Sequence, residues 1–267
     1  MGVDNVGWWV MGSKYDPKYR PKIVALTGAG LSADSGIRTY RGEGGLYQGI
    51  DAETVMSDRM LKERPEIIQT FCDDRRVELD DVAPNAAHAM LSELGRAYGE
   101  RFMHFTQNID DLAERAGGEG VQHVHGRLTL MRSIGNSKVE RDIGYARYWS
   151  GPEASAPEGG YQFRCPKSGS RFRPGVVLFG EQAPLYPKLW RVMGGLHPDD
   201  LLIVIGTFGE VLPVRRWSIQ SSCRKVLNNL APSPNIDESL FTDVFMQKAS
   251  DAAGRIIEIA KAHMGAP

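Results

Sequence analysis

Short apolar runs that stop at glycine or polar residues recur along this chain. Ile23-Val24-Ala25-Leu26 runs into Thr27-Gly28-Ala29-Gly30, and further strand candidates lie at Phe102–Phe105, Gly120–Val124, Val176–Phe179 and Leu201–Ile205. Apolar runs of four or five residues without alternation suit strands covered on both faces, as in a parallel sheet. Between them the period changes. Ala87, Met90, Leu91, Leu94 and Ala97 share one face of a helix predicted over Asn85–Tyr98, and Ala253, Ile256, Ile257, Ala260 and Met264 form a similar stripe near the C-terminus. Pro65 is placed to open another helix through Ile67, Ile68 and Phe71. Strands alternating with helices predict an α/β chain built on a Rossmann-like parallel sheet with helices on both faces.

Two stretches break that rhythm. Residues 38–81 read as largely helical, and residues 127–174 are rich in Gly, Pro, Ser, Arg and Tyr without clear periodicity. Both are expected to be insertions that together form a small helical and irregular lobe. Residues 22–37, 82–126 and 175–267 then make the nucleotide-binding domain, and residues 1–21 an N-terminal arm. The arm carries Trp8, Trp9 and Val10 but neither a sustained apolar region nor a charged leader, so neither a signal peptide nor a membrane span is expected.

Length and charge exclude several classes. A chain of 267 residues can bury a core without disulfides or metal. Its 32 Lys and Arg against 33 Asp and Glu supply no global attraction to nucleic acid or anionic membranes. Cys72, Cys165 and Cys223 are odd in number and widely spaced, unlike a secreted disulfide framework, and point to a cytoplasmic setting.

Thr27-Gly28-Ala29-Gly30-Leu31-Ser32 after a strand suits a dinucleotide, because side-chain-free turns let phosphate oxygens approach backbone N–H groups at a helix start. It is not the full G-x-G-x-x-G pattern, and no G-K-[ST] follows to place a lysine on a triphosphate, which disfavours a kinase or ATPase. Alone, the glycines equally suit a packing turn.

More follows in order: Ala33-Asp34-Ser35-Gly36-Ile37-Arg38-Thr39-Tyr40-Arg41-Gly42, Thr106-Gln107-Asn108-Ile109-Asp110, His123-Val124-His125-Gly126, Val176-Val177-Leu178-Phe179-Gly180-Glu181, Gly206-Thr207 and Asn229-Leu230. With these, the chain resembles the sirtuins, the NAD-dependent protein deacylases, from Lys22 to about Ala262. Ile37-Arg38-Thr39-Tyr40-Arg41 and Pro84-Asn85-Ala86-Ala87-His88 look most like the bacterial desuccinylase-type branch.

The resemblance implies an NAD-dependent removal of acyl groups from protein lysine, yielding nicotinamide and 2′-O-acyl-ADP-ribose. NAD would lie against Gly28, Ala29, Gly30, Ser32, Ser35, Gly36, Ile37, Tyr40, Arg41 and Tyr47 at one end. Gln107, Asn108, Ile109 and Asp110 would face the nicotinamide and its ribose, and Gly206, Thr207, Phe208, Asn229, Leu230, Ala231 and Ala249 the rest of the cofactor. His125 would be the general base, a neutral imidazole taking a proton from a ribose hydroxyl, with Asn108 and Asp110 beside it. Acyl-lysine backbone would add as a strand between Val177, Phe179, Gly180 and Glu181 on one side and Glu210 and Val211 on the other. A plainer reading makes Asn108 a helix cap before Ile109–Ala116, with Gly117 as the stop. His88, His104, His123, His197 and His263 read as structural.

The family pattern also fails in places. Tyr40 stands where Phe is usual, and Phe208 where a hydroxyl is usual, which puts NAD affinity in question. Four cysteines usually hold a structural zinc; here Ser133-Ile134-Gly135-Asn136 replaces the first pair and Cys165-Pro166-Lys167-Ser168 keeps one thiol of the second. The expectation is a metal-free lobe held by Tyr145, Tyr148, Trp149, Tyr161 and Phe163. The Tyr-x-x-Arg pair that recognises a succinyl carboxylate appears as Cys72-Asp73-Asp74-Arg75, so Arg75 either meets an acidic acyl group or lies on a solvated helix face. Two other readings stay open: ADP-ribosyl transfer or NAD hydrolysis, and a non-catalytic NAD-sensing module, against which Asn108 and His125 argue.

Overall fold

The computed structural model describes residues 19–37, 46–47, 49–148, 160–161 and 164–265. Strand β1 (Ile23–Thr27) leads into a four-residue α1 (Gly30–Ala33). A hairpin of β2 (Leu46–Tyr47) and β3 (Ile50–Asp51) precedes α2 (Ala52–Val55), α3 (Asp58–Glu63) and α4 (Pro65–Asp80). Then come α5 (Ala86–Tyr98), β4 (Phe102–Thr106), α6 (Leu112–Arg115) and β5 (Gln122–His123). Strands β6 (Gly126–Ser133), β7 (Glu140–Asp142), β8 (Arg147–Tyr148), β9 (Gly160–Tyr161) and β10 (Phe172–Val176) follow. The order ends with α7 (Tyr186–Gly194), β11 (Leu201–Ile205), α8 (Val214–Gln220), β12 (Arg224–Asn229), β13 (Asp243–Met246) and α9 (Ala249–Met264).

The main sheet runs β13-β12-β11-β1-β4-β5, with every neighbouring pair parallel. Strand order therefore leaves β1 in opposite directions on its two sides. That switch point opens a crevice at the carboxyl ends of β1 and β11, where open α/β sheets place their ligands. Both strands are fully buried along their length, which explains their unbroken apolar sequence. On one face Ile23 and Ala25 pack with Leu91 and Leu94 of α5 and Ile256 of α9. On the other, Val24 and Leu26 pack with Leu189 and Met193 of α7 and Trp217 of α8.

The helix starts follow their capping chemistry. Asn85 accepts from the backbone N–H groups of Ala87 and His88, and His88 reaches back to the Asn85 N–H, a reciprocal box at the head of α5. Pro65 occupies the first turn of α4, where no N–H is required.

Residues 127–174 are more regular than their composition suggests. An antiparallel sheet of order β10-β6-β7 lies there, with its register shifting between Pro174 and Val176. Strand β10 lies upstream of the expected Val176–Phe179 run because Pro174 and Gly175 sit inside it. A Cβ at Gly175 would fall 2.8 Å from Leu130 Cβ, so only glycine lets β10 lie this close to β6. Strands β12 and β13 also escape the apolar pattern. β12 opens on Arg224 and on Lys225, whose buried ammonium donates to the carbonyls of Ser221 and Cys223.

A charged knot joins the antiparallel sheet to α4. Arg76 is fully buried and pairs with Asp73 one helical turn earlier. Its guanidinium also donates to the Leu128 carbonyl at 2.6 Å and the Ala146 carbonyl at 3.1 Å. Asp73 further accepts from Gln69 and from the Tyr148 backbone N–H. Tyr148 and Tyr145 pack into the apolar clusters of this region as expected, whereas Trp149 and Phe163 lie outside the described residues and only the backbone of Tyr161 is described.

Candidate active site

At the switch point the turns after β1 and β11 touch. A Cβ on Gly28 would fall 2.7 Å from the Gly206 carbonyl oxygen, and one on Gly30 would fall 2.6 Å from Gly206 Cα. Gly206 itself has φ +64 and would drive a side chain to 2.4 Å from the Leu31 nitrogen. The glycines thus serve close backbone packing and leave the rim of the crevice free of side chains.

Beside them lies a cavity of about 390 Å³ lined by Ala29, Ser32, Ile37, Asn108, Ile109 and Asp110, and on its far wall by Arg75. Four buried polar side chains there are linked through Ser32. His88 Nδ1 accepts from the Asn85 N–H, so its hydrogen sits on Nε2, which lies 3.3 Å from Ser32 Oγ. Burial drives the His88 pKa down to about 4 and keeps it neutral. Ser32 Oγ also accepts from Asn108 Nδ2 at 3.0 Å, so its own hydrogen is left for the Asp110 carboxylate. Burial raises the Asp110 pKa, and the Ser32 hydrogen bond opposes that rise.

His125 is held on the Gln107 carbonyl, one residue before Asn108. Its Nδ1 lies 3.1 Å from the Gln107 carbonyl and its Nε2 3.0 Å from the Tyr186 hydroxyl. Burial lowers its pKa, against the Gln107 carbonyl, so the imidazole is neutral at pH 7. A buried amide–carboxylate set lining a cavity can hold a polyhydroxylated ligand, and a half-buried neutral imidazole on the adjoining residue can take one proton.

The sequence pattern of the Sir2 family matches residues 28–213 of this chain. The chain belongs to the Sir2 family. It is 35% identical over 235 residues to an NAD-dependent protein deacylase of Campylobacter jejuni, covering 88% of this chain and 93% of that one. An NAD-dependent protein deacylase of Escherichia coli K12 is 35% identical over 244 residues, covering 90% and 82%. Among solved structures, a Sir2 homologue in complex with NAD superposes with TM-score 0.72 at 29% identity, covering 91% of each chain. A Sir2 protein with a deacetylated peptide and 3′-O-acetyl-ADP-ribose superposes with TM-score 0.69 at 25% identity, covering 89% and 93%.

Within this sirtuin the residues expected from sequence fall into groups. Gln107 bridges two turns, its amide donating to Thr207 Oγ1 at 2.9 Å, while Asn229 donates to the Thr207 carbonyl at 3.0 Å. Ser35 accepts from Asn85, and Gly36 turns the chain at φ +93. Phe208 and Leu230 are exposed at this end, Ala231 is exposed, and Ala249 is buried at the start of α9. Tyr40 and Arg41 lie outside the described residues, and only the backbone of Tyr47 is described.

Other positions differ from expectation. Asn108 is not a helix cap, because α6 begins after Asp111 and spans only Leu112–Arg115. Cys72 is fully buried with its Sγ 3.8 Å from Met56 Sδ, so it offers no surface to an acyl chain. In the segment from Val177 to Glu181 several backbone groups already have partners, and Phe179 bridges to Ser57. The Phe179 N–H donates to the Met56 carbonyl and its carbonyl accepts from the Asp58 N–H, while the Val177 N–H donates to the His125 carbonyl. Glu181 is committed to Arg173 and to the Leu178 N–H. Gly180 has φ +90, and Glu210 and Val211 are exposed.

Sequence reading passed over Tyr186, while His88 and His123, read as structural, do hold backbone groups of the site. His123 donates from Nδ1 to the Asn108 carbonyl at 2.9 Å and meets Glu114 at 2.7 Å through Nε2. His123 and His125 therefore clamp the consecutive carbonyls of Asn108 and Gln107. Their two-residue spacing on one side of an extended segment was a readable signal; Tyr186, distant in sequence, left none.

The positions that hold zinc in other sirtuins do not fit a metal here. They carry Ser133, Asn136, Cys165 and Ser168, one thiol with two hydroxyls and an amide. A Cβ on Gly135 would fall 2.2 Å from Ser170 Oγ and 2.8 Å from Ser168 Oγ, so hydroxyls fill the space between the two loops. Among the described residues no group of three His, Cys, Asp or Glu is close enough to hold an ion.

Proposed function

We propose that this sirtuin removes acyl groups, acetyl first among them, from lysine side chains of proteins in an NAD-dependent reaction that yields nicotinamide, 2′-O-acyl-ADP-ribose and free lysine. The observation that carries this reading is the neutral His125 imidazole held on the Gln107 carbonyl, next in the chain to Asn108, whose buried network with Ser32 and Asp110 lines the cavity beside the glycine turns. Bound NAD would supply a labile nicotinamide–ribose bond, and its phosphates would lie by Gly28 to Gly30 and Gly206. Asn108 and Asp110 orient hydroxyl and amide groups in the cavity, and His125 Nε2 takes the proton of a ribose hydroxyl. The apolar wall of Ile37, Ile109 and Leu128 keeps water from that end. The test is incubation with NAD and a panel of acyl-lysine peptides, with mass analysis of peptide and ADP-ribose products. Free lysine with equimolar acylated ADP-ribose is expected. Free ADP-ribose with untouched peptide would mean NAD hydrolysis, and ADP-ribosylated peptide a transferase.

For acyl choice we favour short neutral groups. Arg75 lines the same cavity as Asn108 and Asp110, its guanidinium lies over the Phe71 ring, and Glu78 pairs with it at 3.1 Å. A guanidinium already neutralised by a carboxylate is a weak receptor for a second one. Arg75→Met is therefore expected to change deacetylation and desuccinylation equally and by less than about fivefold, the scale of an exposed ion pair. A selective loss of desuccinylation by about ten to a hundredfold, the worth of a charge-assisted bond, would make Arg75 the acyl carboxylate receptor instead.

We also propose a metal-free lobe and a cytoplasmic site of action. The three cysteines are unpaired and buried, which suits a reducing compartment, and among the described residues no helix is long and apolar enough to cross a membrane. The protein is expected to contain no stoichiometric zinc and to keep its Tm in chelator, because no metal-binding energy is coupled to its folding. Elemental analysis finding about one zinc per chain would overturn that, since a closed site needs four donors.

A further inference from the structure

In a neutral imidazole one ring nitrogen donates and the other accepts. A backbone carbonyl can only accept, so the contact of His125 Nδ1 with the Gln107 carbonyl fixes the ring hydrogen on Nδ1. Nε2 then carries the lone pair, and it is the one nitrogen of this ring that can take a proton. The Tyr186 hydroxyl stands 3.0 Å from it. Tyr186 is the first residue of α7, and its N–H is tied to the Ala183 carbonyl, so the ring enters the site from a fixed helix start. The two rings sit 6.0 Å apart and are inclined by 59°. Burial raises the Tyr186 pKa and keeps its hydroxyl protonated, which makes it the donor in this bond.

We propose that Tyr186 is a positioning residue for the base: by donating to Nε2 it holds the His125 ring in the neutral, Nδ1-protonated tautomer with its accepting nitrogen turned to the cleft. The inference rests on His125 being the base. An imidazolium has no lone pair at Nε2, so the bond favours the neutral ring and opposes its charging. Burial acts in the same direction, and the Gln107 carbonyl acts against it. The nearest titratable neighbour on the same segment, His123, is turned to Asn108 and Glu114 instead. When the ribose hydroxyl arrives it competes with the Tyr186 hydroxyl for the same lone pair. Once Nε2 has taken the ribose proton, the tyrosine oxygen can accept a bond from the new N–H.

The pH profile separates this role from simple packing. Tyr186→Phe keeps the ring and removes only the hydroxyl. Its loss should move the acid limb of kcat/KM upward by about half to one pH unit, the worth of one neutral hydrogen bond. Turnover on the acid limb should fall several-fold while the alkaline plateau and the KM for NAD hold. A tyrosine that only fills space would leave the acid limb where it is, because the Phe variant keeps the ring, and an unmoved acid limb would overturn the proposal. Nitrogen-15 NMR of the imidazoles gives a readout free of turnover. His125 should carry its hydrogen on Nδ1 in the wild-type protein and should titrate at higher pH in the Phe variant. An unshifted ring titration would overturn the role of Tyr186, whereas a wild-type protein that leaves every acyl-lysine peptide untouched would overturn the deacylase reading itself.

Discussion

His125→Ala is expected to lower NAD-dependent acyl-lysine turnover by about two to four orders of magnitude, the usual worth of a positioned general base, while leaving NAD binding largely intact. The side chain's polar contacts are with the Gln107 carbonyl and the Tyr186 hydroxyl, and it takes no part in the Ser32, Asn108 and Asp110 network that shapes the cavity. Removing it therefore takes away the proton acceptor without dismantling the cofactor's surroundings. The depressed pKa gives this prediction a second edge. Because burial keeps the ring neutral below the pH at which an exposed histidine charges, the wild-type enzyme should stay active on the acid side of an ordinary imidazole titration, and its activity should fall only as pH drops through the lowered value. Calorimetry with NAD beside a peptide assay decides the matter. Unchanged deacylation would remove His125 from the base's role, and equal loss of binding and turnover would make it a structural histidine.

The parallel sheet was legible because its central strands are covered on both faces. β1 is apolar from Ile23 to Leu26 and β11 throughout, so their sequence marks them. The antiparallel sheet was not, because its strands break the period they would otherwise show. β10 contains Pro174 and Gly175, which read as turn residues, and glycine is needed there by the close approach of Leu130. The edge strand β13 is half-exposed, and β12 begins on two cations. The candidate site divides the same way. Asn108, Asp110 and His125 stand in ordered local motifs, whereas Tyr186 meets His125 from 61 residues further along the chain. Cys72 shows the opposite error: it stands where the resemblance places the Tyr of Tyr-x-x-Arg, but α4 turns the thiol into the core beside Met56 while Arg75 reaches the cavity wall.

The charged knot of α4 carries the largest expected effect on stability. Arg76→Ala should destabilise the fold by about 3 to 5 kcal/mol, because it leaves the Asp73 carboxylate buried without its counter-ion. It also strips donors from the Leu128 and Ala146 carbonyls, two points where the antiparallel sheet and its following loop are tied to the helix. In the wild-type protein burial raises the Asp73 pKa and Arg76 pulls it back. Without the arginine the carboxyl rises further above its unfolded value, so the folded variant prefers the protonated acid. A group raised in this sense loses stability as pH climbs from its unfolded to its folded pKa. The deficit of Arg76→Ala against wild type should accordingly be smaller near pH 5 than near pH 8. The double variant Asp73→Leu with Arg76→Met tests the cause, since replacing both charges by apolar side chains of similar bulk removes the stranded carboxylate. Urea unfolding of the four proteins in a cycle should show the double variant regaining most of the loss. If it is no more stable than Arg76→Ala alone, the carbonyl contacts rather than the ion pair hold the α4 helix to the antiparallel sheet.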